Sequence, residues 1–363
     1  MHVGFYHEAA GTRQAGGVAV YVRNIAAALA DTHEVTLYTR GQPDRCRDAG
    51  VHVVELPAVD TTLPERAALG PVGPQAIEKL CTAVASARAG HFARMSETLD
   101  VAVTMQVWDD LVVSRALECP TAYQYHRMDT PGAATRLREL VSGSEVVLAN
   151  GPHTASRIEG VFGYRPDGVV PPGVDTDRFH PSVPSSLERT PSIAFAGRLV
   201  PQKGIDDLLV ALSLLDREVH CYLAGRGDTA AVTERARRLG VGDSVTVVGE
   251  LDHSDLPGVF SGATVACLPS HTESFGLANL EAMACGTPVV TTALPAIRSY
   301  VSDGVTGRLV PPGSPRALAR ALSSTLDDPG RMGERARAVA TDYDWKRQGR
   351  RFGTVLERSV PAG

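Results

Sequence analysis

The chain has 363 residues, 43% of them hydrophobic and 21% charged, with a net charge of −5. At roughly 150 residues per domain this length predicts two domains, each able to bury its own core, and the composition excludes disorder, collagen and coiled coil. The acidic balance, with an isoelectric point near 6.1, excludes non-specific nucleic-acid binding, so an anionic partner must meet a local cationic site.

Six cysteines (Cys46, Cys81, Cys119, Cys221, Cys267 and Cys285) lie far apart, without the C-x-x-C pairs of a zinc or redox site. They read as reduced thiols of a cytoplasmic protein. No apolar stretch approaches the roughly 18–20 residues of a membrane span, and the first residues lack the basic start and apolar core of a signal peptide. Arg136, Arg138 and the arginines between Arg331 and Arg351 leave peripheral contact with anionic lipid open.

In chain order, the first half predicts a strand over 2–6, a helix over 18–30, and strands over 34–39 and 51–56. A long helical pattern covers 74–99. Strands at 101–104, 121–125 and 145–149 follow, with shorter helices over 131–141 and 153–162. A Pro-rich passage beginning Val169-Val170-Pro171-Pro172-Gly173 then interrupts the rhythm as a hinge would. After it, strands over 192–196, 219–223, 244–248, 264–268 and 288–292 alternate with helices over 205–215, 230–239, 255–261 and 280–284. The alternation predicts α/β architecture, with two doubly wound Rossmann-like domains facing a central cleft where ligands sit beyond the carboxyl ends of the strands. The boundaries read are 1–170, a linker over 171–190, a second domain over 191–342 and a terminal segment over 343–363.

Four segments carry chemistry. Gly16-Gly17 opens the first helix, where bare backbone lets an anionic group approach; a plain helix start is the competing reading. Strand 192–196 ends in Gly197-Arg198, followed by Lys203-Gly204, which places a forked and a point cation where a diphosphate fits. Glu273-Ser274-Phe275-Gly276-Leu277 enters a helix whose first N–H groups suit phosphate oxygens. On that helix Glu281 can accept from the vicinal hydroxyls of a ribose, while Glu273 can face a sugar ring. His126 ends strand 121–125 and can hydrogen-bond a transferred sugar or help neutralise developing charge. Two competitors remain beside these. Asp175-Thr176-Asp177 has the D-x-D form of a metal site, though it lies in the linker. Gly225-Arg226-Gly227-Asp228-Thr229-Ala230 matches a dinucleotide fingerprint and would suit a nicotinamide-dependent oxidoreductase. That reading leaves Arg198, Lys203 and both glutamates unused.

Taken together, these motifs resemble the retaining glycosyltransferases of family four, which have the GT-B fold. The resemblance runs through Gly16-Gly17, Gly173-Val174-Asp175 to Phe179, Gly197-Arg198 with Lys203-Gly204, and the E-x7-E region from Glu273 to Glu281. It implies that Arg198, Lys203, Gly17, Gly276 and Leu277 hold the diphosphate of a nucleoside-diphosphate sugar. Glu273, Ser274, Phe275 and Gly276 then face the sugar, and Glu281 the ribose, with the base near Gly249-Glu250-Leu251. His126 matches the histidine beside the reacting sugar, and residues 345–357 match a last helix that crosses back to the first domain. The expected activity is metal-independent hexosyl transfer to a hydroxyl acceptor, with retention by a front-face mechanism and no cofactor. The acceptor loops expected around Pro57–Pro74 and Arg127–Arg138 carry no readable code. A binding subunit without turnover is the other reading.

Overall fold

The run Ser192–Ala196 shows no polar alternation and all five of its residues are buried, as a parallel strand covered by helices on both faces requires. In the computed structural model, which describes residues 1–12, 17–57, 74–126 and 132–360, such runs form two sheets. One comprises β1 (His2–Tyr6), β2 (Glu34–Thr39), β3 (His52–Glu55), β4 (Val101–Thr104), β5 (Thr121–Tyr125), β6 (Val146–Ala149) and β7 (Gly168–Val169), in the order β3-β2-β1-β4-β5-β6-β7. The other comprises β8 (Ser192–Ala196), β9 (His220–Ala224), β10 (Val245–Gly249), β11 (Val265–Leu268), β12 (Val289–Thr292) and β13 (Gly307–Val310), in the order β10-β9-β8-β11-β12-β13. Every pairing is parallel. The strand order reverses beside β1 and β4 in the first sheet and beside β8 and β11 in the second, and those switch points are where such sheets bind ligands.

The chain forms two units, Met1–Pro172 with Trp345–Gly363, and Gly173–Asp344. The stretch read as a linker over 171–190 is therefore largely part of the second unit. Val174 and Phe179 are buried in its core, and Arg337 donates to the carbonyls of Thr176 and Phe179. The final helix, Trp345–Ser359, belongs to the first unit, where Trp345, Phe352 and Leu356 join its core.

The 74–99 pattern resolves into two helices, Pro74–Arg88 and His91–Thr98, because Gly90 takes a left-handed conformation between them. The helix expected at 280–284 starts a turn earlier and spans Leu277–Ala284. Helices Asp44–Asp48, Val107–Ala116, Pro315–Asp327 and Met332–Asp342, with strands β7 and β13, have no counterpart in the sequence reading. Gly16, most of the stretch from Pro57 to Pro74, and Arg127 to Pro131 lie outside the described residues. Among the described residues, no helix is long and apolar enough to cross a membrane.

Candidate active site

In the second unit, the loops after three neighbouring strands are laced together. Gly197 N donates to Ala224 O at 2.9 Å, Leu199 N to Arg226 O at 2.8 Å, and Gly225 N to Gly249 O at 2.6 Å. A Cβ on Gly225 would sit 1.8 Å from Gly197 O. The glycine that suggested a dinucleotide turn is thus required by the close approach of the neighbouring chain, whatever binds there.

Beyond β8, Arg198 is exposed, and the single turn Pro201–Lys203 leads into the helix Ile205–Ser213. Beyond β11, the adjacent strand, the chain runs through Ser270 to Glu273. There Lys203 Nζ lies 2.5 Å from Glu273 Oε1, and Ser270 Oγ donates to the same oxygen at 2.8 Å. The switch point therefore joins a cation from one strand end to a carboxylate from the next, both partly exposed. Two donors on Oε1 hold the carboxylate and leave Oε2 for a ligand. Ser274 is exposed, Phe275 is buried, and Gly276, with φ of +89°, caps the Leu277–Ala284 helix. A Cβ on Gly276 would meet Ile297 Cδ1 at 2.6 Å, the movable end of a side chain, so it is chiefly the left-handed backbone that demands glycine.

Glu281 lies about one turn along that helix. His253 Nε2 sits 2.7 Å from its Oε1 and packs its ring 5.2 Å from Phe179. The loop after β10, which carries Glu250 and Leu251, is thereby tied to Glu281 through a histidine that the sequence reading passed over. Glu250 itself is exposed and makes no bond to Glu281. His253 has no motif around it; only its place three residues after Glu250 links it to the site. Asp175 Oδ1 accepts from Arg178 N at 3.2 Å, which closes a local turn.

The other predicted residues lie in the first unit. Gly17 and His126 line one open pocket of about 500 Å³, together with His7, Met105, Gln106 and Trp108. These residues follow β1, β4 and β5, so this pocket sits at the switch point of its own sheet. His126 Nε2 is 3.3 Å from Met105 Sδ, its ring is edge-on to Tyr21 at 4.7 Å, and its carbonyl accepts from Asn150 Nδ2 at 2.9 Å. Burial pulls its imidazole down to about 3. A neutral ring offers a hydrogen bond and carries no positive charge of its own. His7 is likewise pulled to about 3, by burial and then by Lys79, and its Nε2 lies 2.6 Å from Gln106 Nε2. Behind it, Lys79 reaches Glu8 at 2.8 Å and Asp109 at 3.5 Å, and burial pushes Asp109 up to about 7. The sequence reading missed His7, Gln106 and Lys79, which are scattered singly along the chain and meet only in the fold.

Arg138, offered as a lipid contact, is 2% exposed. It pairs with Asp110 at 3.0 Å, donates to Tyr125 OH at 2.8 Å and lies 4.0 Å over the Tyr123 ring. A guanidinium so enclosed meets no membrane.

Fold and site together define a two-domain, Rossmann-like α/β protein in which a lysine and a glutamate meet at the switch point of the second sheet. Residues 15–178 match the model described as Glycosyltransferase Family 4, and residues 178–343 the model described as Glycosyl transferases group 1. A D-inositol 3-phosphate glycosyltransferase of Xylanimonas cellulosilytica is 32% identical over 92% of this chain and 90% of its own length. Among solved structures, sucrose-phosphate synthase of Thermosynechococcus elongatus superposes with a TM-score of 0.77 at 22% identity, covering 98% of both chains. HepE of Anabaena, solved in complex with UDP-glucose, gives a TM-score of 0.77 at 20% identity, covering 99% of this chain and 100% of that one. The chain belongs to glycosyltransferase family four, with the GT-B fold, and is a glycosyltransferase.

Proposed function

We propose that this enzyme moves a hexosyl group from a nucleoside-diphosphate sugar to a hydroxyl acceptor, with retention of anomeric configuration and without a metal. The observation that carries the reading is the meeting of Lys203 with Glu273 at the β8/β11 switch point, beside exposed Arg198 and the start of the Leu277–Ala284 helix. Arg198 and Lys203 grip the diphosphate, releasing Glu273 to the sugar as Lys203 turns to phosphate. The N–H groups of Gly276 and Leu277 receive phosphate oxygens. Glu281 accepts from the ribose hydroxyls, with the base lying over the loop that carries Glu250 and Leu251.

Gly17 offers its backbone to the diphosphate, and neutral His126 serves the reacting sugar as a hydrogen-bond partner. In the front-face reaction the glycosidic C–O bond to phosphate breaks, the acceptor oxygen bonds to the anomeric carbon on the same face, and the acceptor proton passes to the departing phosphate. The cations supply the charge stabilisation that a metal would otherwise provide. The relatives named for D-inositol 3-phosphate support a small polyhydroxylated acceptor, which the pocket beside Gln106 and Trp108 has the volume to hold. The free cysteines, five of them buried, support a reducing cytoplasm as its compartment.

A thermal-shift screen of UDP-, GDP-, ADP- and TDP-sugars tests the donor, since a ligand at 100 times its Kd stabilises by about 2.7 kcal/mol. With the donor in hand, proton NMR of the product reads the anomeric configuration, and activity retained in chelator checks metal independence. Inversion, or activity that returns only with manganese, would sink the corresponding part of the reading.

A further inference from the structure

The loop that enters the Leu277–Ala284 helix rests on one tyrosine from a different part of the chain. Tyr300 follows the single turn Ile297–Ser299 and is 5% exposed. Its ring stacks on Phe275 with centroids 5.0 Å apart and packs against Tyr343 at 5.9 Å. Its hydroxyl donates to Phe275 O at 2.8 Å and to Gly276 O at 3.1 Å as a shared bond.

A trans peptide is planar, so the carbonyl of one residue and the N–H of the next point in opposite directions. Fixing two successive carbonyls on one hydroxyl fixes two peptide planes. The N–H groups of Gly276 and Leu277 are then turned away from Tyr300, and neither donates to any described residue. Leu277 opens the helix, where an N–H has no intrahelical acceptor. We propose that Tyr300 is a positioning residue for the donor's terminal phosphate, holding the Phe275-Gly276-Leu277 turn with its carbonyls inward and two N–H donors outward. The proposal rests on the donor-site reading above. Burial drives the phenol well above its ordinary range, so the hydroxyl stays a donor at any working pH. Free amides that need no reorganisation bind an anion more tightly than amides that must first be ordered.

Tyr300→Phe keeps the ring stack and removes only the hydroxyl. Calorimetric titration of UDP, GDP, ADP and TDP into the wild type selects the tightest diphosphate, and the variant is then titrated with it and with the matching monophosphate. The expected result is a Kd for the diphosphate raised about tenfold, with the monophosphate within about twofold of wild type. The stoichiometry reports the folded fraction separately from Kd, so partial unfolding does not imitate the effect. An unchanged diphosphate Kd, or an equal loss on both nucleotides, would overturn the role of Tyr300 and leave the donor site standing. A wild type that binds none of the four diphosphates would overturn the donor-site reading, and this proposal with it.

Discussion

Lys203 and Glu273 pair before any donor arrives, so a bound diphosphate must compete for the ammonium. Charge-assisted hydrogen bonds contribute about 1.5–3 kcal/mol each. Lys203→Ala and Arg198→Ala should therefore each weaken donor binding by roughly ten- to a hundredfold, and calorimetry with the selected sugar nucleotide checks both. His126 makes a prediction of opposite character. Its pKa is lowered by burial to about 3, while the unfolded chain titrates near 6.5. The folded state therefore binds fewer protons between these values, and the stability involved is present above pH 6.5 and lost as pH falls toward 3. At pH 5 the loss is about 2 kcal/mol. His126→Asn should lose less stability than the wild type on acidification from pH 7 to pH 5, read by urea denaturation at each pH. If His126 also serves the reacting sugar, the same variant should transfer at least about tenfold more slowly.

At the scale of elements, the turn before the Leu277–Ala284 helix is where conformation and packing coincide. Gly276 has φ of +89° with Ile297 Cδ1 2.6 Å from where a Cβ would stand. Gly276→Ala should cost about 1–3 kcal/mol of stability and, by turning the Gly276 and Leu277 amides, weaken diphosphate binding more than monophosphate binding. Denaturation and calorimetry on one preparation read both effects. The sequence pattern placed the body of this helix at 280–284 and missed its first turn. Leu277 and Ala278 sit half-buried next to glycine, and local apolar periodicity does not report a start set by a left-handed cap. The same blindness merged Pro74–Arg88 and His91–Thr98 into one helix. Helix Val107–Ala116 went unread because its buried side includes Asp109 and Asp110, charges that only a tertiary partner such as Arg138 or Lys79 makes tolerable.

For the whole molecule, the chain leaves its first unit at Pro172 and re-enters it at Trp345. The final helix packs so closely on the Gly17–Leu29 helix that a Cβ on Gly349 would stand 2.7 Å from the Ala28 carbonyl. Phe352 meets Phe5 with ring centroids 5.7 Å apart, and Trp345 meets Tyr21 at 5.6 Å. A chain ending at Asp344 loses Trp345, Phe352 and Leu356 from that core, each worth about 2–5 kcal/mol. The first unit should then melt well below its normal temperature or fail to fold. Nucleotide binding by Gly173–Asp344 should persist, and scanning calorimetry with and without the nucleotide separates the two outcomes.

By itself the sequence determined the class of fold, because doubly buried strands alternating with amphipathic helices are a local and repetitive signal. It also carried Arg198, Lys203, Glu273 and Glu281 as candidates, since a cation pair at a strand end and two glutamates around one helix start lie close along the chain. Only the tertiary structure decided which atoms meet. Lys203 and Glu273 are 70 residues apart and touch because β8 pairs with β11. His253 reaches Glu281, and Tyr300 reaches Phe275, from loops whose own sequence announces nothing. A neutral His126 and a buried Arg138 follow from desolvation, and desolvation is a property of the packed neighbours around a residue that no spacing along the chain encodes.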